Sequence, residues 1–352
     1  MIATAPARIC ICGEHQDYLG HPVIAGAVDL YFSIQGEKRP DRTFIIHKKD
    51  LGETERFEFP STGLIPYNGK RDYFRSALNV LKKQGIEPTC GAEVEIHSEI
   101  PINAGSASSS VMVVAWLRFL TALYQWPSRR DHQRIAEMAY LAEVEEFGEP
   151  GGKMDHFSSA LGSIHFLDFA QESYQMLKPK MSGFVLVNSR EKKDTIGDLK
   201  RIKAGEMSAL AAIRNRYPEK NLLELEMEDM GFLAPDIRPY GYAAVINHQL
   251  TIQVKSLFLE KELNHASLGA MFSRQHETFR RWFRNTTQKI DDMIDLAMEH
   301  GALGGKMNGS GSGGTFFIYC PGREEQIIER FRSFEVDIFK ISICDNSTLI
   351  QP

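Results

Sequence analysis

The feature that most limits the fold is a run of small residues feeding an apolar stretch. Residues 101–110 read PINAGSASSS and residues 111–124 read VMVVAWLRFLTALY. The second part is apolar on every side of a helical wheel, which predicts a helix buried in the core. The first turn of such a helix carries unpaired backbone N–H groups and the positive end of the helix dipole. Small residues there let the backbone approach a ligand closely. Gly105, Ser106, Ala107, Ser108 and Ser109 are therefore candidate contacts for phosphate oxygens, and their hydroxyls are candidate ligands for Mg²⁺. The GxxxxGK[ST] pattern is absent, which argues against a P-loop. The plain alternative is a serine-rich loop that ends in an N-cap serine.

Around this helix the sequence alternates strand-like and helix-like blocks. Strands are expected at 8–12, 23–35, 43–47, 92–97, 163–169, 183–188 and 336–343, and helices at 72–84, 131–147, 194–216, 266–281, 290–300 and 324–334. Residues 217–265 receive no assignment. The mixture predicts an α+β fold. A length of 352 residues accommodates two domains or one large one. The apolar pattern breaks at KPKMSG, so the halves are expected to divide at 1–180 and 181–352.

Composition narrows the function classes. The formal net charge of −5 argues against a nucleic-acid binder. No segment approaches 18 uninterrupted apolar residues and no secretory leader is visible, so a cytoplasmic protein with no membrane partner is expected. The five cysteines, Cys10, Cys12, Cys90, Cys320 and Cys344, have no metal-site spacing and read as buried thiols in a reducing compartment.

Three further segments carry chemistry. In GGKMDHF, Gly151 and Gly152 keep bulk away from a ligand, and Asp155 opens a helix where it would accept or orient a hydroxyl proton. Twelve residues earlier Glu143 would suit Mg²⁺, with Glu145 and Glu146 as competitors. Six glycines fall within Gly304–Gly314, more than one turn requires, so that this loop can lie against a ligand with backbone alone. In GEHQDY, Glu14, His15 and Asp17 form a polar cluster after a strand, suited to sugar hydroxyls or, less well, to a metal. Arg8 on that strand would neutralise phosphate charge or act on a neighbouring aspartate.

Taken in order, APARICICGEHQDYLG, PINAGSASSS, GGKMDHF and KMNGSGSGG resemble the signature of the GHMP kinases in their galactokinase form. The resemblance runs from Ala5 to Gly314. It implies a two-domain fold with the active site in the cleft between halves, and ATP and Mg²⁺ as cofactors. It implies that Arg8 and Asp155 are catalytic and that Glu14, His15, Asp17 and Gly152 bind the sugar. It further implies that Gly105, Ser106, Ala107, Ser108 and Ser109 bind ATP, and that Ser109 (or Ser108) and Glu143 hold the metal. The expected activity is transfer of the γ-phosphoryl group to a sugar hydroxyl, galactose first. Partners are then a small sugar and ATP, with monomer or homodimer left open.

The chain departs from that pattern at several positions. Gln16 stands where a threonine is common. Ser106, Ala107 and Ser110 replace the usual loop residues, and Lys153 and His156 flank Asp155. The stretch after the middle strand, NSREKKDTIGDLKRIKAG, lacks the tyrosine common in galactokinases. Lys153 would favour an anionic sugar, such as a hexuronic acid or a phosphorylated sugar, if it faced the pocket, and otherwise reads as a solvated side chain. The alternatives within the superfamily are kinases for galacturonate, glucuronate, arabinose, a heptose phosphate or, least in keeping with GEHQDY, mevalonate; outside it stands a non-catalytic sugar and ATP sensor. Residues 67–73 are the expected surroundings of adenine, by family position alone.

Overall fold

The computed structural model describes residues 1–101, 107–192 and 194–345. The chain opens with two long strands, β1 (Ile2–Cys12) and β2 (Val23–Lys38), paired antiparallel along almost their whole length. β1 starts six residues before the expected Arg8. Pro6, which reads as a breaker, sits where the register slips between Pro6 and Ala7, so its missing N–H is tolerated. From Ala5 onward every residue of β1 is buried. This explains why it is small or apolar on both faces, Arg8 apart.

A hairpin of β3 (Thr43–Lys48) and β4 (Glu53–Glu58) follows. Helix α1 (Tyr73–Lys83) begins where the Asp72 side chain accepts the Arg75 N–H. β5 (Ala92–Ser98) pairs parallel with β3 and antiparallel with β2. α2 (Ser108–Leu123) is the apolar helix, entered through Ala107 in a left-handed conformation. Arg118, wholly buried on α2, donates to the carbonyls of Thr4 (2.6 Å) and Ala160 (2.9 Å) and so fixes α2 against its neighbours. α3 (His132–Tyr140) does not continue to Phe147 as expected. Its backbone widens into a π turn over Leu141–Glu145. α4 (Met154–Leu161), β6 (Ile164–Asp168) and β7 (Ser173–Leu177) complete a seven-stranded sheet ordered β4-β3-β5-β2-β6-β7, with β1 also on β2.

The rest of the chain makes a second sheet faced by long helices. In order come β8 (Phe184–Asn188), α5 (Thr195–Arg216), α6 (Arg238–Phe258), α7 (His265–Glu277), α8 (Gln288–Glu299), β9 (Gly304–Met307), β10 (Thr315–Tyr319), α9 (Glu324–Phe331) and β11 (Asp337–Ile341). The four strands run β11-β8-β10-β9, all antiparallel. α6 fills much of the unassigned 217–265. The first residues of the Gly-rich segment are strand β9, not loop, because they pair with β10 and are fully buried. One apolar core joins the halves, with Ile9, Val111 and Trp116 from the first and Leu250, Phe272 and Phe317 from the second. None of the described helices is long and apolar enough to cross a membrane.

Candidate active site

The end of β1, the start of α2, the π turn, the start of α4 and the loop after β9 converge on one cavity. β1 brings Arg8, whose Nε donates to Asp155 Oδ1 at 2.6 Å. Arg8 is 3% exposed and Asp155 28%, so the arginine lies behind the carboxylate and the carboxylate faces the cavity. Burial, the largest influence, would lower the Arg8 pKa; the charge and hydrogen bond of Asp155, with Cys10 and Glu14, together outweigh it and raise it.

Gly13, at φ +100, ends β1 and turns the chain into the GEHQDY segment. His15 is also left-handed, at φ 67, which aims its ring inward against Phe279 and Phe283. Its Nδ1 bonds the Tyr18 hydroxyl at 2.9 Å, and that hydroxyl donates to Glu206 Oε2 on α5 at 3.1 Å. Nε2 is buried and makes no hydrogen bond among the described residues, while the nearby Ser310 backbone favours a proton on the ring. Burial holds the His15 pKa down at about 4, so the ring is neutral near pH 7. Burial also pushes Glu206 well above the usual carboxylate range.

Asp17 accepts the Met154 N–H at 2.9 Å. Its pKa is raised by burial and then by the Asp155 charge, against the pull of that N–H. A Cβ at Gly152 would stand 1.9 Å from Asp17 Oδ2, so only glycine fits there. Glu14, 1% exposed, is ion-paired through Oε1 with Lys306 of β9. Gln16 points away from the cavity and donates to Pro22 O and Thr251 Oγ1, both at 3.0 Å. It ties the turn to α6. Glu14, His15 and Asp17 thus engage separate partners, and no group of three His, Cys, Asp or Glu able to hold a metal occurs among the described residues. The metal alternative for this cluster is set aside.

Ala107, Ser108 and Ser109, at the start of α2, also line the cavity. Gly105 and Ser106 lie outside the described residues. Glu143 is presented by the π turn, and its Oε2 meets His156 Nε2 at 2.7 Å, both side chains buried. Glu145 and Glu146 do not line the cavity; Glu146 instead pairs with Lys83 and Tyr67. Lys153 is likewise absent from the lining. Its ammonium sits 5.3 Å from the centroid of the Tyr140 ring.

A second cavity of about 660 Å³ shares Arg71, Ser108 and Ser109 with the first. It is walled by Lys48, Asn68, Tyr73 and Phe74 among others, so part of the expected 67–73 segment lines it. Arg71 is held across the junction by two bonds to Glu149, at 2.7 and 3.1 Å.

Of the described residues singled out from the sequence, Arg8, Glu14, His15, Asp17, Ala107, Ser108, Ser109, Glu143, Gly152 and Asp155 line the first cavity, and Gln16, Glu145, Glu146 and Lys153 do not. Sequence reasoning passed over Tyr18, Glu206 and Lys306, and over His156 as the partner of Glu143. Tyr18 and Lys306 stand inside motifs whose other residues drew attention. Glu206 gave no signal beyond being one more helical carboxylate.

Comparison with known proteins bears on the same residues. Residues 1–37 match the galactokinase galactose-binding signature, 72–163 the GHMP kinases N terminal domain and 258–337 the GHMP kinases C terminal domain. The chain is 28% identical to a galactokinase of Pasteurella multocida over 90% of its own length and 84% of that protein's. It is 26% identical to a galactokinase of Thermotoga maritima over 96% of both. In fold it is similar to Lactococcus lactis galactokinase complexed with galactose, with a TM-score of 0.84 at 20% identity, covering 98% of this chain and 93% of that one. It is also similar to Methanococcus jannaschii mevalonate kinase, with a TM-score of 0.74 at 19% identity over 97% and 98%.

Proposed function

Because the chain belongs to the GHMP kinases, in their galactokinase-like form, we propose that it transfers the γ-phosphoryl group of ATP to a hydroxyl of galactose, giving galactose 1-phosphate and ADP. The observation that carries this reading is one cavity lined by a buried arginine ion-paired with a partly exposed aspartate, by the GEHQDY residues and by the start of α2. Part of the lining offers polar groups for hydroxyls: the carboxylates of Glu14 and Asp17 and the ring of His15. Ala107, Ser108 and Ser109 add the start of a helix. Galactose lies against Glu14, His15 and Asp17, beside Gly152. Asp155 orients the attacking hydroxyl and accepts its proton as the new O–P bond forms. Arg8 fixes that carboxylate and offsets charge on the phosphoryl group. The triphosphate rests on Ala107, Ser108 and Ser109, where backbone N–H groups and the helix dipole favour anions. The base extends past Arg71 into the second cavity.

The residues present suit Mg²⁺. Glu143 keeps Oε1 without a partner among the described residues, and Ser109 is exposed on the same cavity. One carboxylate, one hydroxyl and phosphate oxygens are the hard donors this ion takes. Bound there, it would neutralise charge on the β- and γ-phosphoryl oxygens. The five cysteines are all free thiols, which supports a reducing, cytoplasmic setting. Lys153, drawn off to Tyr140, gives no support to an acidic sugar.

The test is ADP release from ATP and Mg²⁺ with galactose, glucose, arabinose, galacturonate, glucuronate, mannose and a heptose phosphate. Strong stimulation by galactose is expected. Silence with galactose but activity with another sugar would move the substrate and keep the kinase. No sugar-dependent release at all would leave a sensor. In the active case Asp155→Asn should cut kcat by about 10²–10⁴-fold while ATP still binds.

A further inference from the structure

Lys306 is a lysine with no contact to water, at 0% exposure in strand β9. An ammonium has three protons to place. Here they go to Cys10 O (2.9 Å), Met307 O (3.0 Å) and Glu14 Oε1. The last pairing spans 292 residues of sequence. Two residues on, Asn308 Oδ1 accepts the Cys10 N–H at 2.9 Å, so the end of β9 is fastened to the end of β1 at two points. Glu14 also accepts through its own carbonyl from Asn247 Nδ2 of α6, at 3.1 Å. Its backbone and one carboxylate oxygen are therefore held from the second half of the molecule. The other oxygen, Oε2, is buried and has no hydrogen-bond partner, in a residue that lines the cavity.

Fold stability does not require this arrangement. An apolar side chain of similar volume in place of a buried ion commonly stabilises a protein as well or better. What an apolar residue could not do is supply a counter-charge to Glu14 and fix which of its oxygens is left over. A buried carboxylate oxygen without a partner invites a donor, and a sugar hydroxyl is the donor this cavity would receive.

We propose that Lys306 is a positioning residue for sugar recognition, holding Glu14 so that Oε2 presents one fixed acceptor to a hydroxyl of the bound sugar. This rests on the kinase reading above. The lysine acts through Glu14 and leaves the phosphoryl transfer itself to Arg8 and Asp155.

The experiment compares wild type, Lys306→Met, Glu14→Gln and the double variant, using whichever sugar of the panel wild type phosphorylates. Lys306→Met should raise the sugar KM by about 10- to 100-fold, the loss of a charged hydrogen bond. The ATP KM and kcat should move far less. The double variant should show the same sugar KM as Glu14→Gln alone, because both act on one contact. Equal damage to ATP KM and kcat in Lys306→Met, or a double variant worse than Glu14→Gln by the full factor of the lysine change, would overturn the proposal. Should Lys306→Met fail to fold, the double variant, which strands no charge, decides the matter against Glu14→Gln. A wild type without sugar-dependent turnover would instead remove the kinase reading and this proposal with it. Wild-type turnover with an additive double variant would remove the proposal alone.

Discussion

At the scale of single residues the site is defined by what each side chain leaves unsatisfied. His15 shows this through pH. Its ring is buried and titrates at about 4, whereas an unfolded histidine titrates at 6.5. The unfolded chain therefore takes up the proton first as pH falls, and stability is lost from pH 6.5 down to about 4, by roughly 3 kcal/mol. A His15→Gln variant should show a flatter fall in Tm over that window. His21, also lowered to about 4 by burial, keeps part of the slope. Gly152→Ala gives a second check. Its new Cβ would collide with Asp17, so the carboxylate must move, and a displacement of that size can cost up to about 100-fold in turnover or sugar affinity. Steady-state kinetics across a galactose titration would show it. Arg8, Asp155 and the GEHQDY triad were legible in sequence because each sits in a short motif whose glycines and charges have little other use. Lys306 was not, although its motif was noticed. Its meaning lies in a partner 292 residues away, and spacing along the chain carries no trace of that.

At the scale of elements, helices and strands with strong periodicity or caps were readable to within a residue or two. α1 begins after Asp72 and α5 after Asp194, both side-chain caps. The misses have separate causes. α6 carries many β-branched and aromatic residues and is buried on much of its surface, so its period is blurred. The π turn after α3 cannot be told from α-helix by composition, yet it sets the direction of Glu143. Strand β9 is glycine-rich, and its neighbour β10 supplies the pairing that composition hides. α5 yields a prediction of its own. Glu206 is buried with its pKa raised by that burial, so the unfolded chain ionises it earlier and stability declines as pH rises above 4.5 toward the folded value. Glu206→Gln keeps a bond to Tyr18 and removes the ionisable group. It should raise Tm at pH 8, by about 2–4 °C for each kcal/mol recovered, and flatten that part of the profile.

At the scale of the whole molecule, the two sheets do not stand apart. The main core draws residues from both, and the segment after β11 returns to the first sheet, where Ile343 bridges Val28 and Cys344 N–H donates to Ala27 O at 3.0 Å. Calorimetry is therefore expected to give one cooperative unfolding transition, and two resolved transitions would contradict a shared core. The fastening of β9 to the end of β1 has a further consequence, for the order of events on the ribosome. Glu14 emerges 292 residues before the lysine that holds it. Strands and helices of the first half can collapse as they appear. The pocket they outline stays incomplete until residue 306 has been translated, so a nascent chain gains its shape well before it gains its grip on a substrate.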